Sequence, residues 1–210
     1  METLIRDFRP GDEAAAYYVC LKTGDRGADG EPFYREDPDA LGRIYVGPYL
    51  RFEPDLALML EDDRGVCGYA LGAFDTRTFF DRYERLWRPA LCAQFPEPGG
   101  DRSTWTRVEA VHHAYHRPEY DAPEPYDRYP SHLHIDLLPR KHRQGHGQRM
   151  IRLLLERLRG KGSPGVHLCM SADNEPAYRF YRALGFQELS RQGPDDDRTI
   201  FMGMPLAAGS

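Results

Sequence analysis

The chain has 210 residues, of which 40% are hydrophobic and 29% charged, with a formal net charge of −5. This composition is typical of one globular domain with a substantial core. The acidic balance argues against a nucleic-acid partner, because phosphate contacts need a basic face. No apolar run reaches the length of a membrane span, and the first residues lack the pattern of a signal peptide. We therefore expect a cytoplasmic protein with no nucleic-acid and no membrane partner.

The cysteines agree with that compartment. Cys20, Cys67, Cys92 and Cys169 lie in hydrophobic segments, and no pair has CxxC spacing. Such usage indicates reduced thiols in the core of a cytoplasmic protein.

The first part of the chain predicts strands and helices in alternation. In order, we expect a strand at 3–8, a helix at 12–21, an acidic glycine-rich loop at 23–30, a helix at 37–46, and strands at 55–61 and 66–74. Gly47-Pro48 is expected to stop the second helix. The sequence Asp62-Asp-Arg-Gly65 is a hairpin signal between the two strands.

The middle of the chain predicts helices and a long loop. Helical spacing covers 76–86, 89–95 and 103–114, the last with Trp105, Val108 and Val111 facing inward. Four prolines and three tyrosines then mark 117–130 as a surface loop. Together these segments read as a helical insertion before the central strand of the sheet.

The last part of the chain carries the strongest patterns. A strand at 133–138 ends at Pro139, and an amphipathic helix runs from Gly145 to Gly160, which we expect to be its C-cap. A strand at 166–170, a helix at 174–184 and strands at 186–190 and 199–204 follow. The whole pattern predicts a mixed α/β sheet with helices on both faces.

The turn before the helix indicates an anion site. The first amides of a helix have no intrahelical partner and lie at the positive end of its dipole. Gly145 and Gly147 allow a phosphate to approach those amides. Four cations add charge, namely Arg140, Lys141, Arg143 and Arg149. The alternative is an ordinary strand-to-helix turn with solvated arginines, and GxG spacing alone does not exclude it.

A second motif follows the next strand. Asn174 and Pro176 suit a helix start, and Gly185 suits its end. The matching positions of the motif NxxAxxFYxxxGF are Asn174, Ala177, Phe180, Tyr181, Gly185 and Phe186. Taken together, the two motifs resemble the GCN5-related N-acetyltransferases over 131–204. Further segments, among them 20–25, 44–49, 53–56 and 65–72, resemble the C-terminal acetyltransferase-like domains of O-GlcNAcases.

The resemblance implies a fold and a donor. It implies one acetyltransferase-like domain over 1–210, with an insertion at 76–130 and a cofactor-binding core at 131–204. The sheet would be mostly antiparallel with a splayed central strand. Acetyl-CoA would be the donor substrate, without a metal, and its pantetheine would lie along Leu137 and Leu138. The pyrophosphate would bind the amides of Arg143, Gln144, Gly145, His146, Gly147 and Gln148.

The resemblance also implies roles for two side chains of the second motif. Asn174 would contact the cofactor arm, and Tyr181 would protonate the departing thiolate. One position departs from the family: His142 stands three residues before Gly145, where Gln or Arg is usual. Because backbone amides form the cradle, we expect cofactor binding to survive this change.

The general base is less defined. His132, His134 and Asp136 alternate along the central strand and therefore share one face. Burial would raise the pKa of Asp136, and imidazole already titrates near neutral pH. A structural anchoring role for Asp136 remains the alternative. The many histidines at 112–134 match no metal-binding spacing, so we expect no metal.

The expected reaction is acetyl transfer to a primary amine by direct attack. The acceptor, a small molecule or a protein lysine, would bind among the loop 23–30, Tyr45, Tyr49 and the tyrosine-rich segment 115–129. Acidic residues in these loops favour a cationic acceptor. The alternative function is an acetyl-CoA-binding or partner-binding module without turnover. The sequence leaves the oligomeric state open.

Overall fold

A computed structural model describes residues 3–118, 127–194 and 198–206. Within these ranges one seven-stranded sheet has the order β1-β2-β3-β4-β5-β7-β6. Its strands are β1 Leu4–Asp7, β2 Ala57–Asp62, β3 Gly65–Ala73, β4 Ser131–Leu137, β5 Gly165–Ser171, β6 Gln187–Gln192 and β7 Thr199–Pro205. The mixed sheet and the hairpin between β2 and β3 are as the sequence predicted.

The central strand is splayed. All neighbouring strands are antiparallel except β4 and β5, which are parallel. That parallel pairing consists of Ser131 with Val166 and His132 with His167. On its other edge β4 pairs with β3 along its length, as far as Leu137 with Gly68. A space that we call the gap therefore opens between β4 and β5 beyond His132, and the expected splay is confirmed.

Eight α-helices surround the sheet in the part of the chain that is described. They are α1 Glu13–Thr23, α2 Ala40–Tyr45, α3 Gly47–Phe52, α4 Thr76–Arg82, α5 Arg88–Gln94, α6 Arg107–His116, α7 His146–Gly160 and α8 Glu175–Leu184. A π-helical turn, Tyr83–Trp87, joins α4 to α5. None of these helices has the length and apolar character needed to span a membrane.

Helices α1 and α7 cover opposite faces of the central strands. Thr23 on α1 lies beside Asp136, whereas Gly147 on α7 lies beside Ile135, the adjacent residue of β4. The apolar face predicted for α7 is buried against the sheet, with Met150, Ile151, Leu154 and Leu158 inaccessible to solvent. Gly72 on β3 makes room for Leu154, because a Cβ at that position would lie 3.0 Å from Leu154 Cδ1.

Three helix boundaries differ from the prediction. Gly47 and Pro48 begin α3 rather than merely ending α2, since proline is well suited to a first helical turn. Gly160 is the last residue of α7, and Gly162, with φ +90°, takes the left-handed conformation after it. Trp105 precedes α6 instead of facing inward from it. Part of the predicted loop 117–130 lies outside the described residues.

Candidate active site

The edge of β4 that faces the gap carries unpaired backbone groups. Leu138 N donates to Cys67 O at 2.9 Å, so Leu138 faces β3. Orientation alternates along an antiparallel ladder, so Ile135 and Leu137 direct their N–H and C=O groups toward β5. Pairing with β5 has already ended at His132. The backbone of Leu137 thus has the orientation that pairing with a pantetheine needs. The backbone of Leu138 faces β3 instead, and Ile135 has the orientation that was expected of Leu138.

One group on this open edge already has a partner. His142 Nε2 donates to Leu137 O at 2.8 Å. The residue that departs from the family pattern thus fastens the turn to the end of β4. The groups directed into the gap are therefore the Ile135 N–H and C=O and the Leu137 N–H.

The turn into α7 presents a run of free amides. Arg143 and Gly145 have positive φ angles of +58° and +77°, which turn the backbone just before the helix. The six N–H groups of residues 143–148 donate to no acceptor within the described ranges. A Cβ at Gly145 would meet no atom within 4 Å, so space does not require a glycine there. The left-handed backbone conformation of Gly145 is what favours glycine at this position. We call residues 143–148 the amide turn, and its geometry suits an anion.

Most of the cations near the amide turn have partners in the protein. Arg140 Nε and Lys141 Nζ each lie 3.0 Å from Asp62 Oδ2 in the β2–β3 hairpin. The hydrogen bond from Arg140 holds the pKa of Asp62 well below its usual range. Arg149 instead contacts His146 Nδ1 at 2.6 Å. The predicted group of four cations is thus reduced, and Arg140 and Lys141 anchor the turn to the hairpin.

Asn174 caps α8 and holds a loop. Its Oδ1 accepts a hydrogen bond from Ala177 N at 3.1 Å, as predicted for an N-cap. Its Nδ2 donates to Arg26 O at 3.2 Å, and Arg26 also pairs with Asp173 at 2.6 Å. The loop 23–30 therefore rests on the start of α8, and both polar atoms of Asn174 have protein partners.

Tyr181 lies on α8, close enough to Asp136 of β4 for its charge to act on the hydroxyl. Its ring packs on Phe180 and Phe186, and its hydroxyl forms no hydrogen bond with the described residues. Phe180 approaches Gly147 of the amide turn, at 3.4 Å from the position of a Cβ. Burial, reinforced by the charge of Asp136, raises the pKa of Tyr181. The hydroxyl is therefore protonated at neutral pH.

Asp136 lies under α1 rather than in an open cleft. Tyr69 donates to Asp136 Oδ2 at 2.6 Å, and Thr23, whose hydroxyl donates to Val19 O at 2.9 Å, lies beside the same carboxyl group. Burial raises the pKa of Asp136 to about 6 against the opposing effect of these two neighbours. The carboxyl group is thus both an anchor between β4 and α1 and a group that titrates near neutral pH.

His134 borders a cavity of about 480 Å³ between the insertion and the sheet. The cavity reaches the point where β4 and β5 separate, and its walls include Tyr45, Tyr49, Phe79, Phe80, His132, His134 and Cys169. Tyr49 Oη lies 2.6 Å from His134 Nε2 and 2.7 Å from His132 Nε2. Burial lowers the pKa of His134 to about 4 and that of His132 well below its usual value. Both rings are therefore neutral at neutral pH.

The structure separates the other predicted acceptor contacts from this cavity. Tyr115 is buried and donates to Ala40 O at 2.9 Å. Residues 119–126 of the tyrosine-rich segment lie outside the described ranges. Carboxylates of the acidic loops have cationic partners: Asp25 pairs with Arg107 at 2.7 Å and Asp37 with Arg43 at 2.7 Å. These ion pairs weaken the charge argument for a cationic acceptor.

The cysteines differ in exposure, and two of the remaining histidines bond to groups of the protein. Cys20 and Cys67 are buried, but Cys169 is exposed and Cys92 partly so, which corrects the expectation that all four belong to the core. His112 pairs with Asp37 at 2.8 Å, and His116 bonds to Phe95 O at 2.7 Å. No group of three potential metal ligands stands together in the residues described.

Comparison with known proteins gives one family. Rat O-GlcNAcase is 29% identical over 203 residues, which are 96% of this chain but 22% of the relative, as is the mouse protein. The chain thus spans about a fifth of the length of these curated relatives. The crystal structure of SsHAT has a TM-score of 0.88 with 35% identity and covers 99% of this chain and 100% of that one. The structure of yncA, a putative acetyltransferase from Salmonella typhimurium with its cofactor acetyl-CoA, shares the fold at 14% identity, TM-score 0.59 and coverage of 100% and 97%.

The family model confirms the resemblance drawn from the two motifs and the expected class of enzyme, an acyltransferase. It matches residues 21–186, which include the last residues of α1, the amide turn and α8. The chain belongs to the acetyltransferase (GNAT) family.

Proposed function

We propose that this protein transfers the acetyl group of acetyl-CoA to a primary amine by direct attack in the gap between β4 and β5. The observation that carries the proposal is the amide turn, six consecutive N–H groups that have no acceptor among the described residues, placed after an open strand edge. A pyrophosphate and a pantetheine amide are the groups that such donors and such an edge would bind. The fold shared with an acetyl-CoA-bound neighbour supports the same donor.

In this proposal the whole chain, 1–210, is one catalytic domain. Residues 131–204 hold the cofactor, and described residues of the insertion 76–130, among them Phe79 and Phe80, line the acceptor side. The pyrophosphate binds the amides of residues 143–148, and the pantetheine pairs with Ile135 and Leu137. Asn174 supports the cofactor arm indirectly, because its side chain fixes the start of α8 and the loop above it. The cysteine usage of the sequence, without CxxC spacing, supports a cytoplasmic location, which cell fractionation would test.

The chemical step needs one proton acceptor and one proton donor. The amine nitrogen attacks the thioester carbon, a C–N bond forms, and the carbonyl oxygen gains charge that N–H donors of the open edge stabilise. The nitrogen loses its proton to His134 Nδ1, and the C–S bond breaks. The sulfur takes a proton from the Tyr181 hydroxyl, which solvent later restores. Asp136 is the second candidate for the proton acceptor, and it lies farther from the cavity wall.

Donor binding is tested without any acceptor. Calorimetric titration with acetyl-CoA and with CoA should show one site, and amide hydrogen exchange should slow at Ile135, Leu137 and residues 143–148. Amides of β1 provide the control, because that strand lies at the far edge of the sheet. Absence of binding, or protection confined to other strands, would refute the proposed site.

Turnover separates the enzyme from a binding module. Thiol release from acetyl-CoA is measured with a panel of aromatic amines, alkyl amines, lysine peptides and amino sugars. An amine-dependent rate that falls in His134→Asn supports the enzyme. The lowered pKa of His134, about 4, makes its imidazole a weak base and favours the second candidate, a protein that binds acetyl-CoA without turnover. Tight binding with no amine-dependent rate would establish that alternative.

A further inference from the structure

A chain of hydrogen bonds leads from the cavity into the protein interior. His134 Nε2 lies 2.6 Å from Tyr49 Oη, which lies 2.7 Å from His132 Nε2. His132 Nδ1 lies 2.7 Å from Thr76 Oγ1, and Thr76 Oγ1 donates to Pro130 O at 2.7 Å. Tyr49, Thr76 and His132 are buried. The four side chains belong to α3, α4 and β4, and only His134 reaches the cavity with a ring nitrogen outside the chain of bonds.

The direction of every hydrogen bond in this series follows from the bond at its buried end, between Thr76 and Pro130. Pro130 O is a carbonyl and can only accept, so the single hydroxyl proton of Thr76 must lie in that 2.7 Å contact. Thr76 Oγ1 therefore accepts from His132 Nδ1–H. A neutral His132 then has a bare Nε2, which accepts from the Tyr49 hydroxyl. Tyr49 Oη in turn accepts from His134 Nε2–H.

The reverse direction leaves a contact without a proton. If Thr76 donated to His132 Nδ1, its oxygen would face Pro130 O at 2.7 Å with no hydrogen between them. Two oxygen lone pairs at that distance repel each other, whereas the first arrangement places one proton in each of the four contacts. The first arrangement is therefore the stable one, and it leaves the lone pair at His134 Nδ1.

We propose that Tyr49, His132 and Thr76 are positioning residues that hold His134 in its Nε2–H tautomer, with the Nδ1 lone pair available to the acceptor amine. The catalytic use of the His134 lone pair rests on the proposed function, whereas the tautomer itself follows from the hydrogen-bond geometry. His134 Nδ1 has no hydrogen-bond partner among the described residues. A base that must accept a proton needs such a lone pair, and an imidazole free to change tautomer would offer it only part of the time.

Aromatic rings keep the chain in place. Phe80 stacks on His132 with centroids 5.6 Å apart and planes 9° apart, and Phe79 meets the same ring edge-on at 5.2 Å. Tyr45 contacts His134 edge-on at 6.2 Å. These contacts bury Tyr49, Thr76 and His132, so the hydrogen bonds have little competition from solvent. The apolar walls also explain why both imidazoles are neutral.

The tautomers are read directly by NMR. In the free protein labelled with nitrogen-15 at histidine, long-range proton–nitrogen correlations distinguish a protonated ring nitrogen from a bare one. We expect His134 protonated at Nε2 and bare at Nδ1, and His132 the reverse. A parent spectrum in which His134 carries its proton on Nδ1 would overturn the proposal.

Variants test whether the chain sets that state. Tyr49→Phe and Thr76→Val should each give His134 a mixture of both tautomers, whereas Thr76→Ser should restore the parental spectrum. Tyr45→Phe is the matched control, since Tyr45 contacts the same ring but takes no part in the chain. Backbone spectra establish that each variant is folded. An unchanged His134 tautomer in folded Tyr49→Phe would refute the positioning role.

Kinetics test the purpose of the chain. Tyr49→Phe should lower kcat about tenfold or more while KM for acetyl-CoA stays at the parental value, because Tyr49 borders the cavity and belongs neither to the amide turn nor to the open edge of β4. Parental kcat in a folded Tyr49→Phe protein would contradict the inference. If the parent itself shows no amine-dependent turnover, the proposed function fails, and the NMR tautomers still decide the hydrogen-bond assignment.

Discussion

Replacing Asp136 by asparagine should stabilise the protein at neutral pH. The carboxyl group is buried between β4 and α1, and burial raises its pKa to about 6. Its ordinary value in the unfolded chain is 3.8. The asparagine side chain would keep an oxygen to accept from Tyr69 and would remove the charge. The variant should therefore escape the cost of holding an ionised carboxylate in the interior.

The size of the gain follows from proton linkage. A group whose folded pKa is raised binds its proton more tightly in the folded state, so its ionisation lowers stability as pH rises from 3.8 to about 6. The shift is a little over two pH units, and each unit is about 1.36 kcal/mol, so the gain in Asp136→Asn at pH 7 is at most about 3 kcal/mol. At pH 4 the folded parent is protonated, and the gain should nearly vanish.

His134 opposes this dependence in the parent. Its pKa is lowered from 6.5 to about 4, so its contribution to stability increases as pH rises through that interval. The two groups therefore nearly cancel in the parent between pH 4 and 6. In Asp136→Asn only the histidine contribution remains, and stability should rise over the same interval.

Urea unfolding of parent and variant at pH 4, 5, 6 and 7 measures both curves. Asp62→Asn is the matched control with the opposite sign, because its pKa is lowered by Arg140 and Lys141. That variant should be less stable at pH 7 and should approach the parent as pH falls. A variant Asp136→Asn that is no more stable than the parent at pH 7, or equally stabilised at pH 4, would refute the reasoning. Loss of amine-dependent turnover in folded Asp136→Asn would indicate that Asp136 is a base, and parental turnover would indicate that it is a structural anchor.

Three further predictions concern the gap. Gly145→Ala should lower the free energy of unfolding by about 1–2 kcal/mol, because alanine is strained in the left-handed conformation. The same change should weaken acetyl-CoA binding about tenfold in calorimetry. Gly162→Ala is the control, since it should lower stability by a similar amount without changing that affinity. Tyr181→Phe should lower kcat about a hundredfold at unchanged acetyl-CoA affinity, and Tyr178→Phe on the same helix should be silent in the same assay. Acetyl-CoA should slow alkylation of Cys169 as followed by mass spectrometry, with the two buried cysteines as internal standards; an unprotected thiol would contradict the assigned pocket.

The cofactor side of the site could be predicted because its signals are local. Gly145 stands within one strand–turn–helix unit, and Asn174 within the next. Each has its conformation decided by neighbours a few residues away: a left-handed turn before α7 and an N-cap on α8. Amphipathic spacing then fixed the buried face of α7. Such features need no knowledge of which segments meet in space.

The partners of the charges could not be predicted in the same way. Arg140 and Lys141 looked available to an anion, yet both pair with Asp62, 78 and 79 positions earlier in the chain. Only the placement of the β2–β3 hairpin beside the end of β4 brings them together. The same holds for Ile135, since the edge that it occupies is decided by the ladder with β3. Alternation in the sequence gives side-chain faces but not the neighbouring strand.

The acceptor side depends on even longer-range packing. Tyr49, Thr76 and His132 come from three separate elements and meet only because α3 and α4 pack on the same face of β4. The sequence named Tyr49 and His132 as separate candidates and gave no sign of Thr76. Cys169 looked like a core residue because its segment is apolar. It is exposed, and it lies just beyond His167, where the pairing of β5 with β4 ends while that with β7 continues.

The gap brings the two sides of the site to the same point of the sheet, and this favours direct transfer over an acetylated enzyme. Beyond the pair of His132 and His167, β4 turns unpaired backbone toward the proposed cofactor site while His134 borders the proposed acceptor cavity. An amine and a thioester can therefore meet without a covalent carrier. Cys169 lies in the same wall and is the nucleophile that a two-step route would use. Initial rates with both substrates varied should give intersecting lines, and Cys169→Ser should retain kcat. Parallel lines together with an inactive Cys169→Ser protein would instead assign the reaction to an acetyl-cysteine intermediate.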